Sequence, residues 1–268
     1  MSHRRKKNMK EENVDQKEPE ALSEQKNDPV VVSILVPHQN VVNMRWAENF
    51  RYLSTPFNYR CYTNSYPLID IARDVLVRTA MKESNPEWIF FLDSDTLCPS
   101  NTITRLIQIA KEQKIDVLSG LVWGKSGAMP GELEEGHVQV PLASMIINKN
   151  LSEGSIVYRP IIEEIKQYLD KNAVLEVDSV GAGCLLIKTD VFKKLDESNP
   201  NLPYFQWGYG RKDAQGKPLL QVGEDFYFCY RLTSELGLKP YVSTEIRCEH
   251  LFFPYACSRR ALDGKMIL

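Results

Sequence analysis

No CxxC pair occurs among the six cysteines, and two of them lie inside strongly apolar runs. Reduced thiols in a cytoplasmic protein are therefore expected, rather than a disulfide framework or a zinc site. No apolar run approaches the ~18 to 20 residues of a membrane span, and no secretory signal pattern is visible. An excess of either charge is lacking too. Thirty-three basic against 35 acidic residues leave a formal net charge of −2, too little to draw the protein onto nucleic acid. An anionic ligand must be held by local groups. What the chain does have is apolar material: at 43% hydrophobic over 268 residues, it can fill the core of one large α/β domain.

Residues 1–28 contain almost nothing that could enter a core and are rich in Lys, Glu, Gln and Asn. Such a composition does not offset ordering entropy, so a disordered tail is expected, with the domain spanning 29–268. The basic run His3-Arg4-Arg5-Lys6-Lys7 offers a weak tether to a membrane surface or to nucleic acid, against the plainer reading of a solvated terminus. "PVVVSILVP" then reads as a strand buried on both faces. Met44 to Ser54 reads as a short helix, "NYRCYT" as a strand, "PLIDIARDVLVRTAMKES" as an amphipathic helix and "WIFFL" as a strand. "PSNTITRLIQIAKEQ" is a helix capped by Ser100 or Asn101, and "IDVLSGLV" a further strand. Alternating strands and helices predict a mostly parallel central sheet flanked by helices, with ligands beyond the carboxyl ends of its strands.

The second half begins with a glycine-rich loop, "GKSGAMPGELEEG". "VPLASMII", "VLEVDSVG", "CLLIK" and "VSTEIRCEHLF" read as strands. "RPIIEEIKQYL", "TDVFKKL" and "GEDFYFCYRLTSELG" read as helices, the last closed by Gly237.

Directly after "WIFFL" stand Asp93 and Asp95. Two carboxylates at a central strand end repel each other and are costly to desolvate, so they call for a cation or a strong donor. Oxygen ligands suit Mg²⁺ or Mn²⁺; helix capping is the structural alternative.

Six segments, "VSILVPHQN", "IARDVLVRTAM", "WIFFLDSDTLCPSNTITRLI", "VGAGCLLIKTDVF", "GEDFYFCYRLTSELG" and "RCEH", together resemble, in order and spacing, the nucleotide-sugar glycosyltransferases with the GT-A fold, similar to family 2 and its relatives. The resemblance covers about residues 30 to 252. It implies a Rossmann-like α/β domain binding a UDP- or GDP-sugar in its first half and a glycan, lipid or protein acceptor in its second. Pro37, His38 and Asn40 then fall at the nucleoside lip, and Arg73 on the arginine that meets the nucleotide. Asp74 departs from the family's usual Asn. Asp93 faces the ribose or a metal-bound water, while Asp95, completed by His250, coordinates Mn²⁺ or Mg²⁺. In inverting members the Asp of "ED" is the base, which points to Asp225 beside Glu224 at a helix N-terminus, where the helix dipole keeps the carboxylate ionised; an N-cap is the alternative.

Gly181 and Gly183 either admit a donor sugar or make a tight turn. Trp207 is a stacking platform or a packing anchor. Arg211 and Lys212 clamp a diphosphate or are solvated. Two rival functions remain beside a metal-dependent glycosyltransferase: a sugar nucleotidyltransferase, and a binding module that has lost turnover. The nucleotidyltransferase reading suffers from the absence of glycine in "VPHQNVVNMRW", where a phosphate loop would stand.

Overall fold

The computed structural model describes residues 29–38, 41–125, 139–150 and 154–251. The expected tail, Asn40 and residues 126–138 of the glycine-rich stretch lie outside the described residues. β1 (Val32–Pro37) leads through α1 (Met44–Arg51) to β2 (Tyr59–Asn64), and α2 (Ile69–Glu83) returns the chain to β3 (Trp88–Leu92). β4 (Thr96–Leu97), α3 (Thr102–Gln113) and β5 (Val117–Lys125) follow, then β6 (Gln139–Pro141), β7 (Ala143–Asn150), β8 (Ser155–Pro160) and α4 (Ile162–Tyr168). The chain continues with β9 (Val174–Glu176), β10 (Ser179–Val180), β11 (Cys184–Lys188), α5 (Thr189–Ser198), α6 (Glu224–Leu236) and β12 (Tyr241–His250).

The main sheet runs β2-β1-β3-β11-β5-β12-β4, with β6 added to β5 and β9 to β12; β10, β7 and β8 make a second, antiparallel sheet. β1 and β3 are buried along their whole length because their side chains feed two cores. Leu35 and Phe91 pack among Leu76 of α2, Phe192 of α5 and Phe228 of α6. Ile34, Val36, Phe90 and Leu92 pack on the other face with Trp46 of α1 and Leu106 of α3. Each such side chain contributes roughly 1.5–3 kcal/mol by leaving water, so a strand that feeds both layers is apolar on both faces; the one polar residue buried within β1, Ser33, pairs its hydroxyl with that of Ser84 at 3.0 Å.

Three sequence readings need correcting. "VPLASMII" is divided, its first two residues belonging to β6 beside β5 and its residues from Ala143 to β7 in the second sheet. The sheet is mixed: β2, β1 and β3 pair in parallel and β12 is parallel to β5, but β11 runs antiparallel to both β3 and β5. "CLLIK" is buried on both faces in either direction, so its composition carries no sign of its polarity. "VLEVDSVG" is two strands, because the chain leaves the main sheet at Val177, whose N–H reaches Pro240 O at 3.0 Å, and enters the second sheet. Asp178 marks the crossing by accepting the Ile146 N–H at 2.8 Å. β4 and β8 have no counterpart in the sequence reading.

The helix ends follow local chemistry. Gly237 closes α6 in the left-handed region at φ 65°, where its N–H meets the Thr233 carbonyl at 3.2 Å, the bond of an αL end, and the Leu238 N–H meets the Leu232 carbonyl at 3.1 Å. Asn101 holds the N-cap position of α3 without a side-chain bond; Thr102 Oγ1 donates to Pro99 O at 2.7 Å instead.

Candidate active site

The carboxyl ends of β1, β3 and β12 and the amino end of the reversed β11 meet along one edge of the sheet. The chain leaves β3 through a turn at Asp93 that is held from three sides. Asp93 N–H donates to Gly183 O at 3.1 Å, and Asp93 O accepts from Thr96 N–H at 3.0 Å and from Trp46 Nε1 at 2.8 Å. Leu251 N–H closes on Asp95 O at 2.6 Å, tying the end of β12 to the same turn. A Cβ on Gly183 would stand 2.8 Å from Thr96 Oγ1 and 3.5 Å from Asp93 Oδ2. The close approach that Gly183 permits is therefore between two parts of the protein itself.

The two aspartates face different partners. Arg73, buried in α2, places Nη2 2.9 Å from both carboxylate oxygens of Asp93, donating its hydrogen bond to Oδ2, and Nε 3.3 Å from Glu224 Oε1. Its guanidinium also lies 5.3 Å from the Phe91 ring centre. Burial works against this charge, but Asp93, Glu224 and Asp225 outweigh it, and the Arg73 pKa is raised above its ordinary value. Arginine suits the position because its fork reaches two carboxylates at once. Asp95 instead meets His250, with Nε2 to Oδ2 at 3.2 Å. Asp95 Oδ1 is a buried acceptor without a hydrogen-bond donor, Asp93 Oδ1 has only its ion-pair contact with Arg73 Nη2, and Arg73 Nη1 is a buried donor without an acceptor. Buried polar atoms of this kind are normally satisfied. A carboxylate oxygen lacking a donor beside an imidazole fits a divalent cation, and a guanidinium nitrogen lacking an acceptor fits an anion.

Asp225, half-buried at the start of α6, accepts the Phe226 N–H on Oδ1 at 2.8 Å. Its Oδ2 would lie 3.7 Å from a Cβ built on Gly181. Burial first, then the charge of neighbouring Glu224, pushes its pKa up to about 7, while Arg73 and the Phe226 N–H pull the other way. The sequence predicts a carboxylate kept ionised by the helix dipole; instead its pKa lies near neutrality. Desolvation and a like charge outweigh the helix end.

A second pair of acids lies one turn apart on α2. Asp70 accepts the Trp207 N–H at 3.1 Å and Arg211 Nη1 at 2.7 Å, and Asp74 accepts the Phe205 and Tyr204 N–H groups at 2.9 and 3.3 Å. Together they hold the loop that leads into α6. Asp74, where the resembled family has Asn, serves this loop, and burial raises its pKa to about 6 against those two N–H groups. Arg211, with its side chain 36% exposed, is held to α2 by this ion pair with Asp70. Trp207 is 40% exposed and packs edge-on against Tyr209 at 5.5 Å.

Arg73, Asp93, Glu224 and Asp225 thus come together as one charge group, and Asp95 joins His250 beside it. Pro37 pairs with Asn64, and His38 N–H donates to Asn64 O at 2.9 Å, placing both at the sheet edge; Asn40 is outside the described residues. Trp46 and Thr96 were missed. Trp46 had a signal, as an aromatic on the first helix after the opening strand, but the carbonyl its indole holds is 47 residues away.

No protein-family model matches the chain, and no curated protein does. Solved structures do. The crystal structure of GalNAc-T7 with UDP, GalNAc and Mn²⁺ aligns with a TM-score of 0.51 at 13% identity, over 84% of this chain and 44% of that one. The crystal structure of A197 from STIV aligns with a TM-score of 0.49 at 13% identity, over 84% and 87%. The chain spans less than half of the GalNAc-T7 chain. With its mixed sheet and flanking helices, this chain has an α/β fold of the GT-A kind, like that glycosyltransferase.

Proposed function

We propose that the protein is a metal-dependent glycosyltransferase, moving a sugar from a UDP- or GDP-sugar to an acceptor hydroxyl. One observation carries the reading. At the carboxyl edge of a GT-A-like sheet, a buried Asp95 oxygen lacks a donor beside His250 and a buried arginine nitrogen lacks an acceptor, beside a carboxyl raised to about 7. The fold is shared with a protein solved with UDP, GalNAc and Mn²⁺.

Asp95 and His250, with Asp93 at the same turn, are the residues that would hold Mn²⁺ or Mg²⁺. Such an ion offsets the charge that develops on a departing diphosphate. Arg73 fixes Asp93 and Glu224, and its remaining Nη1 is available to a nucleotide oxygen. Glu224, 6% exposed and bonded to Arg73, orients the group. Asp225 Oδ2 takes the proton of the acceptor hydroxyl as the new glycosidic bond forms. A base with a pKa near the working pH balances availability against proton affinity. Pro37 and His38 form the lip on the nucleoside side.

The test is a thermal-shift screen of UDP- and GDP-sugars with Mn²⁺, and with the metal chelated. A ligand at a hundred times its Kd adds about 2.7 kcal/mol to the folded state. A metal-dependent rise in Tm with one donor class, followed by transfer or hydrolysis of that donor, is expected. No shift with any donor at millimolar concentration overturns the reading.

A further inference from the structure

On the α1 and α3 face of the main sheet, behind the aspartate turn, three sulfurs from distant parts of the chain converge. Cys98 follows β4, Cys184 opens β11 and Cys248 lies in β12, and their Sγ atoms all stand within 4.8 Å of one another. Cys98 and Cys248 are 3.4 Å apart, Sγ to Sγ. All three are free thiols, and all are buried.

Gly120 makes the room. A Cβ there would stand 2.8 Å from Cys184 Sγ and 3.3 Å from Cys248 Sγ, so any larger residue in this strand would crowd the sulfurs. Three sulfurs each about 2.3 Å from a common centre lie about 4 Å apart in a trigonal plane, a value between the 3.4 Å of the Cys98–Cys248 pair and the 4.8 Å that bounds all three. Leu97, Val122, Leu186 and Ile246 belong to the same apolar cluster. Cys98, itself buried, is among the residues that line a surface cavity of about 470 Å³ with Arg45, Asn49 and Arg247.

We infer that Cys98, Cys184 and Cys248 form a binding site for a soft, thiophilic metal ion, with Cu(I) the best match. Sulfur ligands select Cu(I), zinc or iron–sulfur clusters. Structural zinc wants four ligands and iron–sulfur clusters four cysteines, whereas this trio is walled by aliphatic side chains. Each sulfur that ligates does so as a thiolate and releases one proton to solvent, so uptake of the ion strengthens as the pH rises. The site is chemically distinct from the carboxylate and imidazole group on the sheet edge, and it does not depend on the transferase reading.

The test uses the full, reduced chain under anaerobic conditions, titrated with Cu(I) against a bicinchoninate competitor. One Cu(I) per chain is expected, with an ultraviolet thiolate-to-copper band and X-ray absorption reporting three sulfur neighbours. Cys98→Ser, Cys184→Ala and Cys248→Ser should each weaken retention at least tenfold, the lower edge of what losing even a supporting group costs a metal site. Cys61→Ser, on exposed β2, should leave retention unchanged. No stoichiometric binding overturns the inference, as does binding that survives all three substitutions or X-ray absorption with nitrogen and oxygen neighbours. Because absorption is measured on the unaltered protein, the outcome stands even where a variant fails to fold.

Discussion

Replacing Asp225 by asparagine removes one ionisable group while keeping the acceptor oxygen that takes the Phe226 N–H at 2.8 Å. In the folded chain this carboxyl titrates at about 7 against an ordinary 3.8, chiefly through burial and then through Glu224. A carboxyl raised by folding costs no stability below its unfolded pKa, where both states hold the proton. Stability is lost as the pH climbs from there through the folded pKa, because the unfolded state ionises first. Relative to a neutral asparagine the loss begins near pH 4 and is complete above about pH 7. At about 1.4 kcal/mol per pH unit it amounts to about 4 kcal/mol in full, and grows by roughly 2–3 kcal/mol between pH 5 and pH 8. Urea unfolding of both proteins at those two pH values measures it. The variant should gain on the parent by that amount at pH 8, while turnover of the donor identified by thermal shift falls at least about a hundredfold. The parent should show a limb in kcat/KM near pH 7 that the variant lacks. An unchanged stability difference at the two pH values would refute the raised carboxyl, and turnover within about threefold, ~0.65 kcal/mol in barrier, would refute its role as base.

Asp95→Ala and His250→Ala should each abolish Mn²⁺-dependent nucleotide binding in calorimetry while the melting transition stays cooperative; unchanged affinity in both removes them from the metal site. Arg73→Lys replaces a fork that reaches Asp93 and Glu224 with a single ammonium, so donor affinity should fall at least about tenfold, about 1.4 kcal/mol, and parent-like binding would show that the fork is dispensable. Asp74→Ala strands the buried Tyr204 and Phe205 N–H groups and should cost about 1–3 kcal/mol in urea unfolding, with Asp74→Asn, which retains an acceptor, costing less. Arg231→Ala leaves Glu235 without the guanidinium that meets it at 2.5 and 2.7 Å and opens a void beside the carbonyls of Leu195 and Pro203, for an expected loss of about 3–5 kcal/mol; a loss under about 1 kcal/mol would show that the clamp is not coupled to folding.

The amino-acid order by itself determined whatever depends on neighbours along the chain. The continuous apolar runs of β1 and β3, the helical spacing of α2 and Gly237 at the end of α6 are local patterns with local causes, and they were legible. Asp93, Asp95, Glu224, Asp225 and His250 were legible as candidates because each stands at the edge of such an element. Tertiary structure alone decided which side chains meet. It reversed β11 within an otherwise parallel run of neighbours, because a strand buried on both faces reads alike in either direction. It gave Asp93 to Arg73 and Asp95 to His250, turned Asp70 and Asp74 to the loop before α6, and raised Asp225 by burial that periodicity does not measure. It also gathered Cys98, Cys184 and Cys248 from three separate strand ends into one cluster. Coulomb energy and desolvation depend on distances through space and on exclusion of water, and neither is written in the spacing of residues along a chain.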